Sequence, residues 1–232
     1  MATAIVLSGG TGTRFGSETP KQYLCVQGKP IIGYCLDTFQ HSELIQSIVI
    51  VANSRWHDFL KEYIEDNKLT KFVCFAEAGR SRQRSIVNGL NQVKNHGVSD
   101  DEKIIIHDAA RPFVTEDLIA SCIQILDEYD CSMPVVSVKD TVYYSEDGEK
   151  ISSLLNRDKL FAGQAPEGCH LGTYLAINTE LTDDELDAVR GTSAIAFEKG
   201  LSIGLFPGSE RNYKITTIED YEKFRLEVER KA

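Results

Sequence analysis

No stretch of this 232-residue sequence approaches the roughly 18 consecutive apolar residues that span a bilayer. Its first residues hold no basic segment followed by a long apolar one, so a cytoplasmic protein without a membrane partner is expected. Positive charge is also scarce: 25 Lys and Arg stand against 35 Asp and Glu, a net charge of −10. Such a surface repels a phosphate backbone, which argues against a DNA or RNA binder and requires any functional cations to act locally. The six cysteines include no C-x-x-C pair, so free thiols are expected rather than a disulfide framework or a zinc site. No internal repeat, linker or low-complexity segment divides the chain, and residues 1–232 read as one domain.

What is present alternates. Ala4-Ile-Val-Leu7, Ser47-Ile-Val-Ile-Val-Ala52, Phe72-Val-Cys-Phe75, Lys103-Ile-Ile-Ile106 and Ser132-Met-Pro-Val-Val-Ser-Val138 are short apolar runs that suit buried strands. Helical spacing falls between them, over 30–40, 56–65, 83–94 and 116–129. The pattern predicts an α/β, Rossmann-like fold with a mostly parallel twisted sheet and helices on both faces, binding ligands at the strand carboxyl ends. The chain is expected to close with strands at 201–206 and 212–216 and a helix from Ile218 to Arg230, capped by Thr217 and Asp220. One stretch departs from this rhythm: residues 140–155 alternate about a Glu-Asp-Gly turn, which predicts a protruding hairpin. A lone hairpin needs a surface to pack on, so residues 139–156 are expected to form a β-arm that embraces a second subunit.

Directly after the first strand comes Ser8-Gly-Gly-Thr-Gly-Thr-Arg14, and then Thr19-Pro-Lys21-Gln22. Glycines let backbone amides approach phosphate oxygens, while Arg14 and Lys21 bring positive charge to the same crevice. The loop lacks the Gly-Lys-Ser/Thr ending of a Walker A, and Phe15 stands where a dinucleotide fingerprint needs its third glycine. Further on, His107-Asp108-Ala-Ala-Arg111-Pro112 places a carboxylate and a cation just past a buried strand, and one carboxylate beside phosphates suffices for magnesium. Taken alone, His107 reads as a core histidine. Gly79-Arg-Ser-Arg82-Gln-Arg-Ser85 could meet a base or ribose, with Arg82 able to grip a carboxylate or phosphate, or could be a solvated helix start. Asn156-Arg157-Asp158 and Asn212-Tyr-Lys214-Ile-Thr216 each offer one cation, and Leu181 to Asp187 reads as a solvated acidic helix start.

Taken in order, these six motifs resemble the CTP-dependent cytidylyltransferases acting on 2-C-methyl-D-erythritol 4-phosphate or ribitol 5-phosphate, over nearly the whole chain. The resemblance implies a nucleotidyltransferase with CTP as donor, a polyol phosphate as acceptor, Mg2+ dependence and a homodimer. Arg14, Lys21, Arg157 and Lys214 would be catalytic. Ser8, Gly9, Gly10, Thr11, Gly12, Gly79, Arg80, Ser85 and Asp108 would bind the nucleotide, with Asp108 also meeting the metal. Arg111, Thr141, Arg157, Lys214 and Thr216 would address the acceptor, some of them across the dimer. Two places depart from the family pattern: Gln164-Ala165-Pro166-Glu167 replaces Gln-Thr-Pro-Gln, and Gly191-Thr192-Ser193 falls where a Thr-Asp pair is usual. Both border the acceptor pocket in the family, so either acceptor, and with it isoprenoid or surface-glycan synthesis, stays open. A catalytically silent nucleotide-binding scaffold of the same fold is the alternative.

The chemistry needs little beyond charge. A phosphate monoester is largely dianionic near neutral pH, its second pKa being about 6, so it attacks without a general base. Compensating charge at the α-phosphate and at departing pyrophosphate is the remaining requirement, and loss of one such donor costs on the order of 2.7 to 4 kcal/mol in the barrier. Lys21→Ala is therefore expected to lower turnover at least ~100-fold with an unchanged circular-dichroism spectrum; near-normal turnover would remove Lys21 from the mechanism.

Overall fold

The computed structural model describes residues 1–10, 19–189 and 191–230. The expected loop residues Thr11, Gly12 and Arg14 lie outside the described residues. In chain order the strands and helices begin with β1 (Ala2–Leu7), the short pair β2 (Cys25–Val26) and β3 (Lys29–Pro30), α1 (Ile31–His41), β4 (Ile45–Ala52) and α2 (His57–Asp66). They continue through β5 (Phe72–Glu77), α3 (Arg82–Asn95), β6 (Lys103–Asp108), α4 (Glu116–Ile125), β7 (Cys131–Ser137) and the two-residue strands β8 (Tyr143–Tyr144) and β9 (Ser153–Leu154). The last part holds β10 (Phe161–Gly163), β11 (Glu167–His170), α5 (Leu171–Thr179), α6 (Asp183–Ala188), α7 (Thr192–Glu198), β12 (Ile203–Pro207) and α8 (Ile218–Glu229).

Eight strands form one sheet, in the order β12-β7-β11-β6-β1-β4-β5, with β10 running on from β11 along the same edge of β7. β6, β1, β4 and β5 pair in parallel, as do β7 and β12, whereas β10 and β11 run against their neighbours. The expected mostly parallel sheet is therefore present, with two short reversed strands that apolar periodicity did not announce. The chain leaves β1 toward β4 and β5 and then returns to β6 on the other side of β1. That reversal of direction opens a crevice at the carboxyl ends of β1 and β6.

Strict alternation along the central strands buries both faces. Ala4, Val6, Ile48, Ile50 and Ile105 face a core shared with Leu36 and Phe39 of α1, Leu60 of α2 and Ile119 of α4. Ile5, Val49, Val51, Ile104 and Ile106 face the other side, against Ile86, Leu90 and Val93 of α3 and Leu171 and Tyr174 of α5. Each fully buried Ile or Leu contributes ~1.5–3 kcal/mol, so this double core dominates the stability. A smaller cluster of Val26, Ile31, Ile215 and Phe224 seats α8. The Thr217 hydroxyl caps α8 by accepting from the Asp220 amide, and the Asp220 carboxylate accepts from the Thr217 amide, the capping box expected from sequence.

Three expectations need correction. Residues 212–216 form no strand; the segment is held by an Ile215 amide donating to Ala110 O at 2.8 Å and by Asn212, and no continuous ladder partner flanks it. The helix expected to reach Tyr129 ends at Ile125, where the Asp127 and Glu128 amides close back three residues and tighten the chain into turns. The acidic run at Asp183–Asp187 is not purely solvated, because Asp183 and Asp187 bind Arg84 and Asp187 also pairs with Arg80. The hairpin is present as β8 and β9, its turn held by Asp147 accepting from the Glu149 and Lys150 amides. The cysteines are free thiols; burial pushes Cys122 and Cys131 up to about 12, while Cys25 is exposed.

Gly89 gives the packing a direct test. A Cβ there would lie 2.7 Å from Ile5 Cγ2 and 3.0 Å from Val51 Cγ2, because α3 rests its backbone on β1 and β4. Helix propensity favours Gly89→Ala by about 1 kcal/mol, whereas overpacking a filled core costs ~1–3 kcal/mol. Gly89→Ala is expected to lower the urea midpoint, and a raised midpoint would show the interface to be loose.

Candidate active site

The crevice is a cleft of about 490 Å³ lined by residues from six segments. Parallel pairing sets Leu7 opposite Asp108, so Gly9 and Gly10 after β1 meet Asp108, Ala109 and Ala110 after β6. Asn53 follows β4, Gly79 to Arg82 follow β5, and Lys214 and Thr216 come from the segment before α8. The loops are in close contact, because a Cβ on Gly9 would lie 2.4 Å from Ala78 Cβ. Only glycine fits there.

Beneath the loop, Gln22 and Tyr23 fix the backbone. Gln22 Nε2 donates to the carbonyls of Ser8, at 2.7 Å, and Gly10, at 2.8 Å. Ser8 Oγ donates to Tyr23 Oη, whose hydroxyl lies 3.0 Å from Ser8 O. With these carbonyls held from behind, the loop is prepared to present amides rather than carbonyls to an anion. Lys21 lies beside Gln22 and lines the cleft. On the opposite rim, Ser85 Oγ accepts from the Gly79 amide and donates to Ser81 O, which fixes the turn into α3.

Asp108 is the electrostatic hub. Its Oδ2 accepts from Lys214 Nζ at 2.9 Å and lies 3.7 Å from Arg111 Nε, and its Oδ1 accepts from Arg82 Nε at 3.4 Å. Burial alone would raise its pKa, but the three cations together hold it well below the usual carboxylate range. Arg82 also donates to Glu167 and Thr192. Arg80 pairs with Asp187, and Arg84 with Asp183 and Asp187. Each arginine of the 80–84 run thus answers to a carboxylate of the protein.

Of the residues singled out from sequence, Gly9, Gly10, Lys21, Gly79, Arg80, Ser85, Asp108, Lys214 and Thr216 line the one cleft. Ser8 lies just beneath it, and Arg111 is part-buried behind Asp108, donating to Asn212 O at 2.6 Å. Thr141 sits on the exposed arm and Arg157 at its base, where Arg157 Nη1 donates to Lys139 O at 2.8 Å. Sequence reasoning passed over the buried roles of Gln22, Glu167 and Thr192. Glu167 and Thr192 had surfaced only as departures from a pattern, and nothing local marks their pairing, since 25 residues separate them. Among the described residues no three His, Cys, Asp or Glu side chains cluster as metal ligands. A lone cleft-facing carboxylate fits a magnesium ion held mostly by substrate phosphate oxygens, and not a protein-built cage.

A topological switch point furnished with a glycine-rich loop, lysines and one ionised aspartate defines a nucleotide-binding α/β protein. Comparison with known proteins narrows the class. The family described as IspD, 2-C-methyl-D-erythritol 4-phosphate cytidylyltransferase, matches residues 2–229. The chain belongs to this family. It is 31% identical to ribitol-5-phosphate cytidylyltransferase of Streptococcus agalactiae serotype Ia, over 97% of this chain and 94% of that protein. It is 34% identical to 2-C-methyl-D-erythritol 4-phosphate cytidylyltransferase of Clostridium acetobutylicum, over 95% and 94% of the two chains. The fold is that of the 4-diphosphocytidyl-2C-methyl-D-erythritol synthase of Anaerococcus prevotii, with a TM-score of 0.82, 22% identity and coverage of 98% and 96%. The Francisella tularensis IspD structure is similar at a TM-score of 0.78 and 25% identity, covering 97% of this chain and all of that one.

His107 supports the site from within the core. Its Nε2 donates to Arg111 O at 2.9 Å, its ring packs edge-on against Phe39, and burial pushes its pKa down to about 4. Between pH ~6.5 and ~4 the unfolded chain therefore binds a proton that the folded chain refuses, so stability falls as pH falls through that window. Asp108 works in the same direction below about pH 4, because a depressed carboxylate loses its contribution as acid protonates it. The His107 component is at most about 1.4 kcal/mol per pH unit. His107→Gln, measured by urea denaturation from pH 6.5 to 4.5, is expected to flatten this slope; parallel curves for the two proteins would contradict a neutral buried imidazole.

Proposed function

We propose that this chain transfers the cytidylyl group of CTP to the phosphate of a small polyol phosphate, of the ribitol 5-phosphate or 2-C-methyl-D-erythritol 4-phosphate kind. Pyrophosphate leaves and a CDP-polyol forms. One observation carries the reading: the β1–β6 register brings the glycine loop, Lys21, Asp108 and Lys214 into a single cleft. In this reading the loop amides and Lys21, joined by Arg14, bind the triphosphate, while Gly79, Arg80 and Ser85 border the cytidine. Lys214, oriented by Asp108, and Thr216 take the acceptor phosphate with Arg111 close behind.

The acceptor phosphate attacks as a dianion, so the residues need only align it with the leaving pyrophosphate and offset the charge that develops. Magnesium, when bound, neutralises charge shared between phosphate oxygens, and Asp108 would hold it together with those oxygens.

Residues 1–232 act in this reading as one cytoplasmic nucleotidyltransferase domain, with 139–156 as an arm for a homodimer. The arm exposes Tyr143, Tyr144, Ile151, Leu154 and Leu155, an apolar surface that a monomer would leave in water. Arg157 and Thr141 would then serve the partner's cleft.

The deciding measurement is pyrophosphate release with magnesium, each of the four nucleoside triphosphates and a panel of polyol phosphates. Release at least ~10-fold faster with CTP, and with one of the two named acceptors, is expected. Sedimentation should give a two-copy mass that Leu154→Asp abolishes. CTP binding without release across the whole panel would instead identify a silent scaffold.

A further inference from the structure

Arg82 lines the cleft, and its guanidinium is the kind of fork that grips phosphate, yet each of its three nitrogens has a partner in the protein. Nη2 donates to Glu167 Oε1 at 2.9 Å, Nη1 to Thr192 Oγ1 at 2.6 Å, and Nε to Asp108 Oδ1 at 3.4 Å. Thr192 Oγ1 in turn donates to Glu167 Oε1 at 2.8 Å, which closes a three-membered ring of contacts. Glu167 and Thr192 are 8% and 3% exposed, so neither is a surface partner that water would readily displace. Each is fixed independently. Glu167 pairs with Ile106 in the sheet, and the carbonyl of Thr192 accepts from Tyr174 Oη at 2.8 Å.

We propose that Glu167, with Thr192, is a positioning residue that withholds Arg82 from substrate phosphates and keeps its guanidinium turned to Asp108. The meaning of this device rests on the cytidylyltransferase reading, although its test does not. A guanidinium free to reach the triphosphate would bind ground state and product pyrophosphate as well as the transition state, and uniform binding of that kind slows release without speeding chemistry. Holding Arg82 on the wall leaves positive charge where Lys21 and Lys214 stand. It also keeps Asp108 ionised and fixed in direction.

The test is calorimetric titration with inorganic pyrophosphate in metal-free buffer, on the wild type, Glu167→Gln, Arg82→Gln, the double variant and Thr192→Val. Glu167→Gln keeps the shape and removes the charge that holds Arg82, so pyrophosphate should bind at least fivefold more tightly. In the Arg82→Gln background the same change should gain less than twofold. Thr192→Val, made in the wild type and in Arg82→Gln, removes one acceptor without altering charge and should tighten binding about twofold only where Arg82 is present; it decides the matter if Glu167→Gln does not fold. Equal gains in both backgrounds would reduce Glu167 to a general repulsive charge and overturn the proposal, as would unchanged or weaker binding in folded Glu167→Gln and Thr192→Val. Because the readout is binding, absence of turnover in the wild type would count against the catalytic reading alone.

Discussion

The carboxylate of Asp108 draws together Arg82 from the start of α3, Arg111 from the loop after β6 and Lys214 from the segment before α8. Removing a buried charge from water costs several kcal/mol, and only close, well-directed partners offset that cost. Three cations around Asp108, one of them also paired with Glu167, leave a wall that is still net positive, which suits phosphate-bearing molecules. Losing one partner would leave Asp108 less fully compensated by the other two, so the site and the fold of its three contributing segments are energetically linked.

Around that hub the cleft separates two kinds of cation. Lys21 and Lys214 line the open cleft, Lys214 while also paired with Asp108. The arginines at 80, 82 and 84 are held by Asp187, Glu167, Asp108 and Asp183, and they brace the start of α3 against α6, α7 and the sheet. Lysine is a compact point charge on a flexible stem, suited to following a phosphate whose geometry changes during transfer. A guanidinium is a planar fork, better suited to a fixed carboxylate. A chain with net charge −10 can thus confine a positive field to one crevice.

The glycine loop shows the same division of labour in neutral groups. Gln22 and Tyr23 hold the Ser8 carbonyl, and Gln22 also holds that of Gly10, from the buried side. An anion-binding loop works only if its amides already point at the ligand, because reorienting peptide dipoles during the reaction would forfeit the electrostatic advantage. Pro-Lys-Gln therefore supplies a cation and a support from adjacent residues, Lys21 lining the cleft and Gln22 holding the loop.

The sequence by itself determined the alternating α/β order, the apolar strands, the capping box at Thr217 and Asp220, and most of the residues that line the cleft. These are local properties: side-chain period, cap chemistry and glycines ahead of cations can each be read within a few residues. Only the tertiary structure decided that β10 and β11 run antiparallel, that residues 212–216 form no strand, and that Arg82 meets Glu167 and Thr192. Arg82 and Glu167 lie 85 positions apart in the chain. Whether a cation reaches substrate or is held by the protein depends on which carboxylate folding brings within 3 Å of it, and residue order alone does not carry that information.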